Sequence, residues 1–381
     1  MANVFQNMTE LARGASVLLR DELAVGNLVN RDCQDKFTSD GGGTVRVSYN
    51  TVPTAVPQDH SVALSNVAAS SVAESYVDVD ARYYVPVKYT LNSREKTFEM
   101  DQLMDQVIRP SMVAIAEAAE QRIITKLAQG FGRNLTGTAG TAPAVMADIV
   151  SARKTLRDNK CPLSGLVAGV GTAAEAALLQ VDGFINRDYG ESNASALSEA
   201  SLGRKYGIDF YSTQNFGGSF AQGDVAGTVL LNGAGTAGDT SIGIDALTAA
   251  TGTIYAGTRF TIAGTATVYT VTADATIASN AATLSISPAL SANEDDDDAI
   301  TFQTAFTEDM IWNPGGTAAA IVAPAPLLVN SAVEAFEGIS VRVSLESTTG
   351  DSSVGALDTL LFDTYVGAEV VRPEMGVIFQ S

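Results

Sequence analysis

The sequence predicts a mixed α+β chain in which an α/β body is interrupted by an all-β module, and three stretches carry that expectation. Pro110–Gln129 places Met112, Ile115, Ala116, Ala119, Ile123, Ile124 and Leu127 at steps of three and four, the spacing of a single helical stripe. Tyr76–Leu91 alternates strictly, with Val77, Val79, Ala81, Tyr83, Val85, Val87, Tyr89 and Leu91 on one face, as a strand requires. From Asp224 to about Thr304 the composition turns rich in Thr, Ala, Gly and Val. Short alternating runs there are divided by turn residues, the pattern of a small β-barrel or sandwich.

At 381 residues the chain is long enough for two or three domains. No run of about 18 apolar residues is present to span a bilayer. The opening MANVFQNMTELARG lacks a basic start followed by an apolar core, so a secretory signal is not expected and the protein should stay in the cell that makes it. Lys and Arg number 23 against 43 Asp and Glu, a net charge of −20, which repels phosphate backbones and anionic lipid alike. Cys33 and Cys161 stand in unrelated contexts, so the expectation is two reduced thiols rather than a disulfide framework or a zinc site.

Taken in order, residues 9–25 read as an amphipathic helix with Thr9 as N-cap and Leu11, Val17, Leu18 and Leu23 as apolar members. Asn27–Asp40 is polar and ends in the turn-forming Gly41-Gly42-Gly43. Thr44–Asn50 alternates Val45, Val47 and Tyr49 against polar residues, a strand exposed on one face. Paired with Tyr76–Leu91, which would reach about 50 Å as one strand, it makes a long two-stranded arm. Such an arm has little core of its own and is expected to lie on a neighbouring subunit. Pro86 marks an edge position, because it donates no ladder bond.

In the long helix, Pro110 suits the first turn and Gly130 is expected to stop it in the left-handed conformation. Glu117, Glu120, Gln121, Arg122, Thr125 and Lys126 fill its polar side. Ala144–Asp158 reads as a second helix ended by Asn159, Leu166–Val170 as a buried strand, and Thr172 as the cap of a helix through Gln180. A polar loop spans Asn186–Ser198, and Leu202–Asn215 turns at Gly203 and Gly207 before a strand. The 224–304 segment holds nine acids (Asp224, Asp239, Asp245, Asp274, Glu294 and Asp295–Asp298) against Arg259 alone, the opposite of an oligonucleotide-binding barrel. Beyond it, Met310–Trp312, Ala318–Val322, Ile339–Leu345, Leu360–Glu369 and Val370–Phe379 read as strands.

No catalytic constellation emerges, and catalytic, cofactor-binding and metal residues are all assigned as none. His60 has no nucleophile context and reads as a loop histidine. Glu294–Asp298 offers hard oxygens but lacks the spaced ligands and central glycine of a Ca²⁺ loop. Asp78 and Asp80 share a strand face with no pocket, and no Lys-Ser pair follows Gly203 and Gly207 to make a phosphate cradle.

The order of parts, however, resembles the major capsid (coat) proteins of tailed DNA bacteriophages. The stretches that carry the resemblance are LVNRDCQDKF…GGGTVRVSYN, DQLMDQVIRPSMVAIAEAAE, LGRKYGIDFYSTQN, AGTRFTIAGTATVYTVTADA and TLLFDTYVGAEVVRPEMGVIF. They are similar to the branch typified by the short-tailed Salmonella phage coat protein, whose body carries an inserted β-barrel. The resemblance implies the Hong Kong 97-type capsid fold: an N-terminal arm (1–44), an extended β-loop (45–93), a peripheral domain with its spine helix (94–162) and the first part of an axial domain (163–223). An inserted β-barrel domain (224–304) would follow, and 305–381 would complete the axial and peripheral domains. It further implies a non-enzymatic, self-assembling icosahedral shell of hexamers and pentamers located in the virion and assembled in the bacterial host cytoplasm. Its partners would be a separate scaffolding protein in the procapsid, a portal protein at one vertex and double-stranded DNA held without sequence-specific contact, with no membrane and no cofactor. Some family members cross-link through a lysine in the extended loop. Here residues 51–75 contain none and Lys88 lies near the loop's base, so that chemistry is not expected. Rival readings are an encapsulin-type compartment shell, which would carry a cargo-docking groove, and an acidic Ca²⁺-dependent adhesion or tail protein, which would need repeats of a segment present once.

Overall fold

The computed structural model describes residues 8–36, 43–49, 75–92, 104–132, 134–137, 143, 145–185, 202–217, 222–265, 267–303, 309–326, 331–349 and 356–379. The chain opens with helix α1 (Met8–Glu22), followed by strands β1 (Thr44–Tyr49), β2 (Ser75–Asp80) and β3 (Tyr83–Asn92). Helix α2 (Arg109–Phe131) follows a π-turn at Met104–Ile108, and then come β4 (Leu135–Thr136), α3 (Met146–Asp158), β5 (Leu166–Val170), α4 (Thr172–Leu178) and α5 (Asp182–Ile185). A tight hairpin of β6 (Arg204–Lys205) and β7 (Ile208–Ser212) precedes eight short strands. These are β8 (Gly227–Leu231), β9 (Ser241–Leu247), β10 (Thr251–Ile254), β11 (Arg259–Ile262), β12 (Tyr269–Val271), β13 (Ala275–Ala278), β14 (Ala282–Ser287) and β15 (Ile300–Phe302). The closing strands are β16 (Met310–Trp312), β17 (Thr317–Val322), β18 (Ser331–Phe336), β19 (Ile339–Thr349), β20 (Ala356–Val370) and β21 (Gly376–Phe379).

Among the described residues, three large cores organise these elements, with a smaller fourth cluster under β1 and β2. In the first, the stripe of α2 packs between α1 and a sheet built on β20, and all seven of its sequence-expected apolar residues are buried. β20 pairs with β3 over Leu357–Val366, with β19 over Ala356–Asp363 and with β17 over Tyr365–Val370. Because β3 overlaps the register of both others, it takes the opposite edge of β20, where Pro86 is tolerated. The second core lies between α3, α4 and the sheet β4-β21-β16-β5-β7-β6, whose central strand β5 is buried throughout. The third belongs to the sheet β15-β11-β12-β14-β9-β8. Its ends nearly meet: Leu231 N donates to Asp298 O (2.9 Å) and Asp297 N to Leu231 O (3.0 Å). The β10–β13 ribbon accompanies this barrel.

Several sequence expectations are corrected. Gly130 does not end α2; the helix runs to Phe131, and its C-cap Gly132 is right-handed at φ −56°. Gly130 is there for proximity, since a Cβ would overlap the Cβ and Cγ2 of Val370 on β20. Glu120 is not on the solvent side but 2% exposed. Tyr76–Leu91 is not one strand. It breaks at Ala81-Arg82, where the chain crosses so close to β20 that a Cβ on Gly367 would sit 2.7 Å from the Ala81 Cα. β2 therefore pairs with β1 while β3 joins the β20 sheet.

Thr9 lies inside the first turn of α1 rather than capping it. Thr172 is the first helical residue of α4, Gly171 is its cap, and the Gly171 N–H is taken by buried Asp309 at 2.6 Å. Val370–Phe379 is not a continuous strand, because a 3₁₀ turn at Pro373–Met375 separates β20 from β21. The second helix, the β5 strand and the turns at Gly203 and Gly207 (φ +61° and +79°) stand as expected.

Candidate assembly surfaces

The base of the arm is a six-pair antiparallel ribbon, Thr44–Tyr49 against Ser75–Asp80. Alternation puts Val45 and Val79 inward, where they join buried Cys33, Ala318 and Val371, with Val47 and Tyr49 partly buried against them. Five small residues make a slight core, so the ribbon is held by the body at its base rather than by itself. Outward, Arg46 lies directly across from Asp78 and pairs with it at 3.1 Å, while Asp80 accepts the Arg82 N–H at 3.1 Å. The two strand carboxylates are thus engaged with arginine and backbone on an exposed face, and the structure does not bring them into a catalytic pair. Between the ribbon and the body lies an open cleft of about 500 Å³ lined by Asn30, Cys33, Val47, Tyr49, Asn313 and Met375 among others.

Among the described residues, β3 carries three of the six exposed tyrosines. Tyr83, Tyr84 and Tyr89 are each about two-fifths exposed on this edge strand, and the Arg122 guanidinium of α2 sits 4.9 Å over the Tyr83 ring. Beneath it is a buried polar network. Asp363, fully buried on β20, accepts from Arg342 on the adjacent β19 through both oxygens and from the Tyr84 hydroxyl at 2.7 Å. Desolvation and the Asp363 carboxylate push the Tyr84 hydroxyl up to about 12, and the same carboxylate raises Arg342. Three strands are stitched across one sheet by this group.

A second buried carboxylate joins three parts of the chain. Glu120 Oε1 accepts from the backbone N–H groups of Ala24 (2.5 Å) and Val25 (2.7 Å), and Oε2 accepts from Asn215 Nδ2 (2.7 Å). It fixes the segment after α1 and the loop after β7 to α2. Lys126 on the same helix pairs with Glu369 of β20 at 3.5 Å. Burial pushes the Glu369 carboxyl up, and Lys126 pulls it partly back.

The Glu294–Asp298 run caps its own turn. Asp296 Oδ1 accepts from Gly233 N (2.6 Å) and Asp298 Oδ2 from Asp295 N (2.7 Å), while Glu294 pairs its backbone with Gly235. Desolvation, then Asp298 and Asp295, raise the Glu294 carboxyl. Among the described residues no three His, Cys, Asp or Glu side chains converge as metal ligands. Cys33 and Cys161 are free and buried, and burial pushes both thiols up, Cys161 to about 11. His60 and the 186–198 loop lie outside the described residues. Lys88 lies in β3, paired across from Leu361. No described helix is long and apolar enough to cross a membrane.

Among solved structures, one from Mycobacterium phage Che8 is similar over 94% of this chain and 90% of its own, with a TM-score of 0.50 at 16% identity. The chain shares its fold with a phage protein. The capsid structure of cyanophage P-SCSP1u aligns over 94% of this chain and 87% of its own, with a TM-score of 0.49 at 11% identity. The mature capsid of bacteriophage PhiM1 aligns over 89% and 82%, with a TM-score of 0.45 at 11% identity. No family model matches the sequence, and no curated protein does. At the level of fold class, the expected mixture of helices and strands holds, and the fold is shared with the Che8 structure. Sequence reasoning missed Glu120, Asp363 and Arg342, the residues that stitch this fold, and β18, whose half-buried SAVEAF gives only a weak alternation.

Proposed function

We propose that this chain is the major capsid protein of a tailed bacteriophage, assembling as hexamers and pentamers into the icosahedral shell around a double-stranded DNA genome, with no catalysis of its own. The observation that supports it most is the likeness in fold to the phage Che8 structure over 94% of the chain. A ribbon with almost no core of its own, an aromatic edge strand and structural rather than reactive buried carboxylates accord with a protein whose work is contact between copies. The net charge of −20 suits a wall past which DNA must slide without sticking. A strongly basic inner face on the assembled shell would sink that last point.

The finer reading is the branch with an inserted barrel. The chain enters the barrel at Gln222 and leaves it at Gln303, and the Gln222 amide donates to the Gln303 carbonyl at 2.8 Å, so entry and exit are adjacent. The segment has its own core and touches the spine helix through Thr270 Oγ1 on the Gly132 carbonyl at 2.7 Å. The expected partners are a separate scaffolding protein in the procapsid and a portal protein at one vertex.

Expression with and without neighbouring genes, followed by electron microscopy, tests the proposal. Closed particles with six- and fivefold clusters are expected. A monomer under every condition, with a candidate scaffold included, would return attention to the adhesion reading. For the barrel, a fragment spanning 222–303 is expected to unfold cooperatively by itself; a disordered fragment would argue against an autonomous insertion.

A further inference from the structure

Copies of a chain with a net charge of −20 repel one another unless unlike patches are brought face to face, so cations that reach solvent are informative. Helix α3 carries Val150, Arg153, Lys154 and Arg157 at steps of three and four, one stripe of its outer side. Val150 is 45% exposed. The β6–β7 hairpin is tied against this stripe, because Arg153 Nη1 donates to the carbonyl of Tyr206 at the hairpin tip. Tyr206, with φ +51°, is held half exposed beside the arginines, and Arg204 stands in the same hairpin.

Lys154 pairs with Asp158 at 2.6 Å and Arg204 with Asp209 at 3.4 Å. Among the described residues Arg153 and Arg157 enter no ion pair. Exposed Tyr and Arg beside an aliphatic side chain is the composition of interface centres.

The barrel has the complementary character. It holds nine acids, and its one base, Arg259, is fully buried, so no lysine or arginine of that segment reaches the surface. Asp295 and Asp297 are exposed, and their side chains take no part in the hydrogen bonds by which Asp296 and Asp298 hold the turn.

We infer that the face made by α3 and the β6–β7 hairpin docks the acidic barrel of a neighbouring copy. This rests on the shell reading. The contact is heterologous, one patch against a different one, which is the kind that closes into rings. Unlike charge across it would steer encounter and penalise wrong pairings, since like charges set face to face cost several kcal/mol.

A charge-swap experiment tests it. K154E/R157E reverses the face without touching the Arg153–Tyr206 tie, and D295K/D297K reverses the barrel loop without touching the two capping aspartates. Each variant is first required to keep the wild-type Trp312 fluorescence and unfolding midpoint. K154Q/R157Q, neutral rather than reversed, replaces the first variant if that one misfolds. Assembly is then followed by sedimentation velocity and electron microscopy under conditions where the wild type forms particles. Each reversed variant alone is expected to associate about tenfold more weakly or worse, and an equimolar mixture of the two to recover association, most fully in even-numbered rings where the two alternate. Normal assembly of either reversed variant alone, or a mixture no better than its components, would overturn the inference. So would K154E/R157E particles that form normally and lose only their DNA, which would make the face a contact for packaged polyanion. Absence of particles from the wild type itself would instead remove the shell reading.

Discussion

Replacing Glu120 is the sharpest test of how the body is held together. The carboxylate is 2% exposed and accepts three hydrogen bonds from two distant parts of the chain. Hydrogen bonds to a charged group contribute about 1.5–3 kcal/mol each, and a buried donor left alone costs about 1–3 kcal/mol. Of the three donors, the Val25 N–H is fully enclosed, whereas Ala24 is exposed and Asn215 half-buried and both can find water. Glu120→Ala therefore strands one donor outright and opens a small cavity, for an expected loss of about 3–4 kcal/mol. Glu120→Gln keeps an oxygen for Ala24 and Val25 but sets its amide against that of Asn215, which can turn; about 1 kcal/mol is expected. The assay is urea unfolding followed by fluorescence of Trp312, the chain's one tryptophan. Trp312 is fully buried and lies 6.2 Å from Phe216, the residue next to Asn215, so it reports on this junction. A Glu120→Ala midpoint within about 0.5 kcal/mol of wild type, the range of an ordinary surface change, would refute the reasoning.

Three further outcomes follow from the same packing. Gly130→Ala gains about 1 kcal/mol of helix propensity but drives a Cβ into Val370, and overpacking costs about 1–3 kcal/mol. Net destabilisation is expected, and it should vanish when Gly130→Ala is made in a Val370→Gly background, where the opposing Cβ is gone; a stabilised single variant in thermal melts would contradict the close approach. Tyr84, whose hydroxyl is raised from 10.0 to about 12, binds its proton more tightly when folded. Its contribution to stability is thus complete below pH 10 and lost as pH climbs towards 12. Tyr84→Phe should flatten stability across that window; an unchanged alkaline slope in unfolding midpoints would count against the Asp363 bond. Cys161, pushed up to about 11 by burial, should resist a thiol reagent at pH 8 until the chain is unfolded; rapid labelling of the native protein would show that the second core is open.

What was legible in the sequence was local. The stripe of α2, the run of β5 and the alternation of β1 each follow from periodicity, which states which side of an element is apolar. Alternation through Tyr76–Leu91 kept its phase across Ala81-Arg82, so nothing in the pattern could reveal that the strand changes partner there. A period of two names a face, not a neighbour. Gly130 looked like a helix stop because a terminus and a close contact both call for glycine, and only the position of Val370 separates them. Glu120 sat on the polar side of the wheel, and no spacing rule announces that residues 24–25 and 215, far away in sequence, will cover it.

The sequence by itself therefore determined the element types, the apolar faces, the acidity of the 224–304 segment and the absence of a catalytic motif, all properties of neighbours along the chain. Only the tertiary structure decided that the ribbon has almost no core, that Arg259 is buried and leaves the barrel without an exposed cation, and that Asp363 and Glu120 join strands and segments remote in sequence. Those outcomes depend on which surfaces meet, and burial turns a charged residue from a solvated ornament into a costly group that must find its partners.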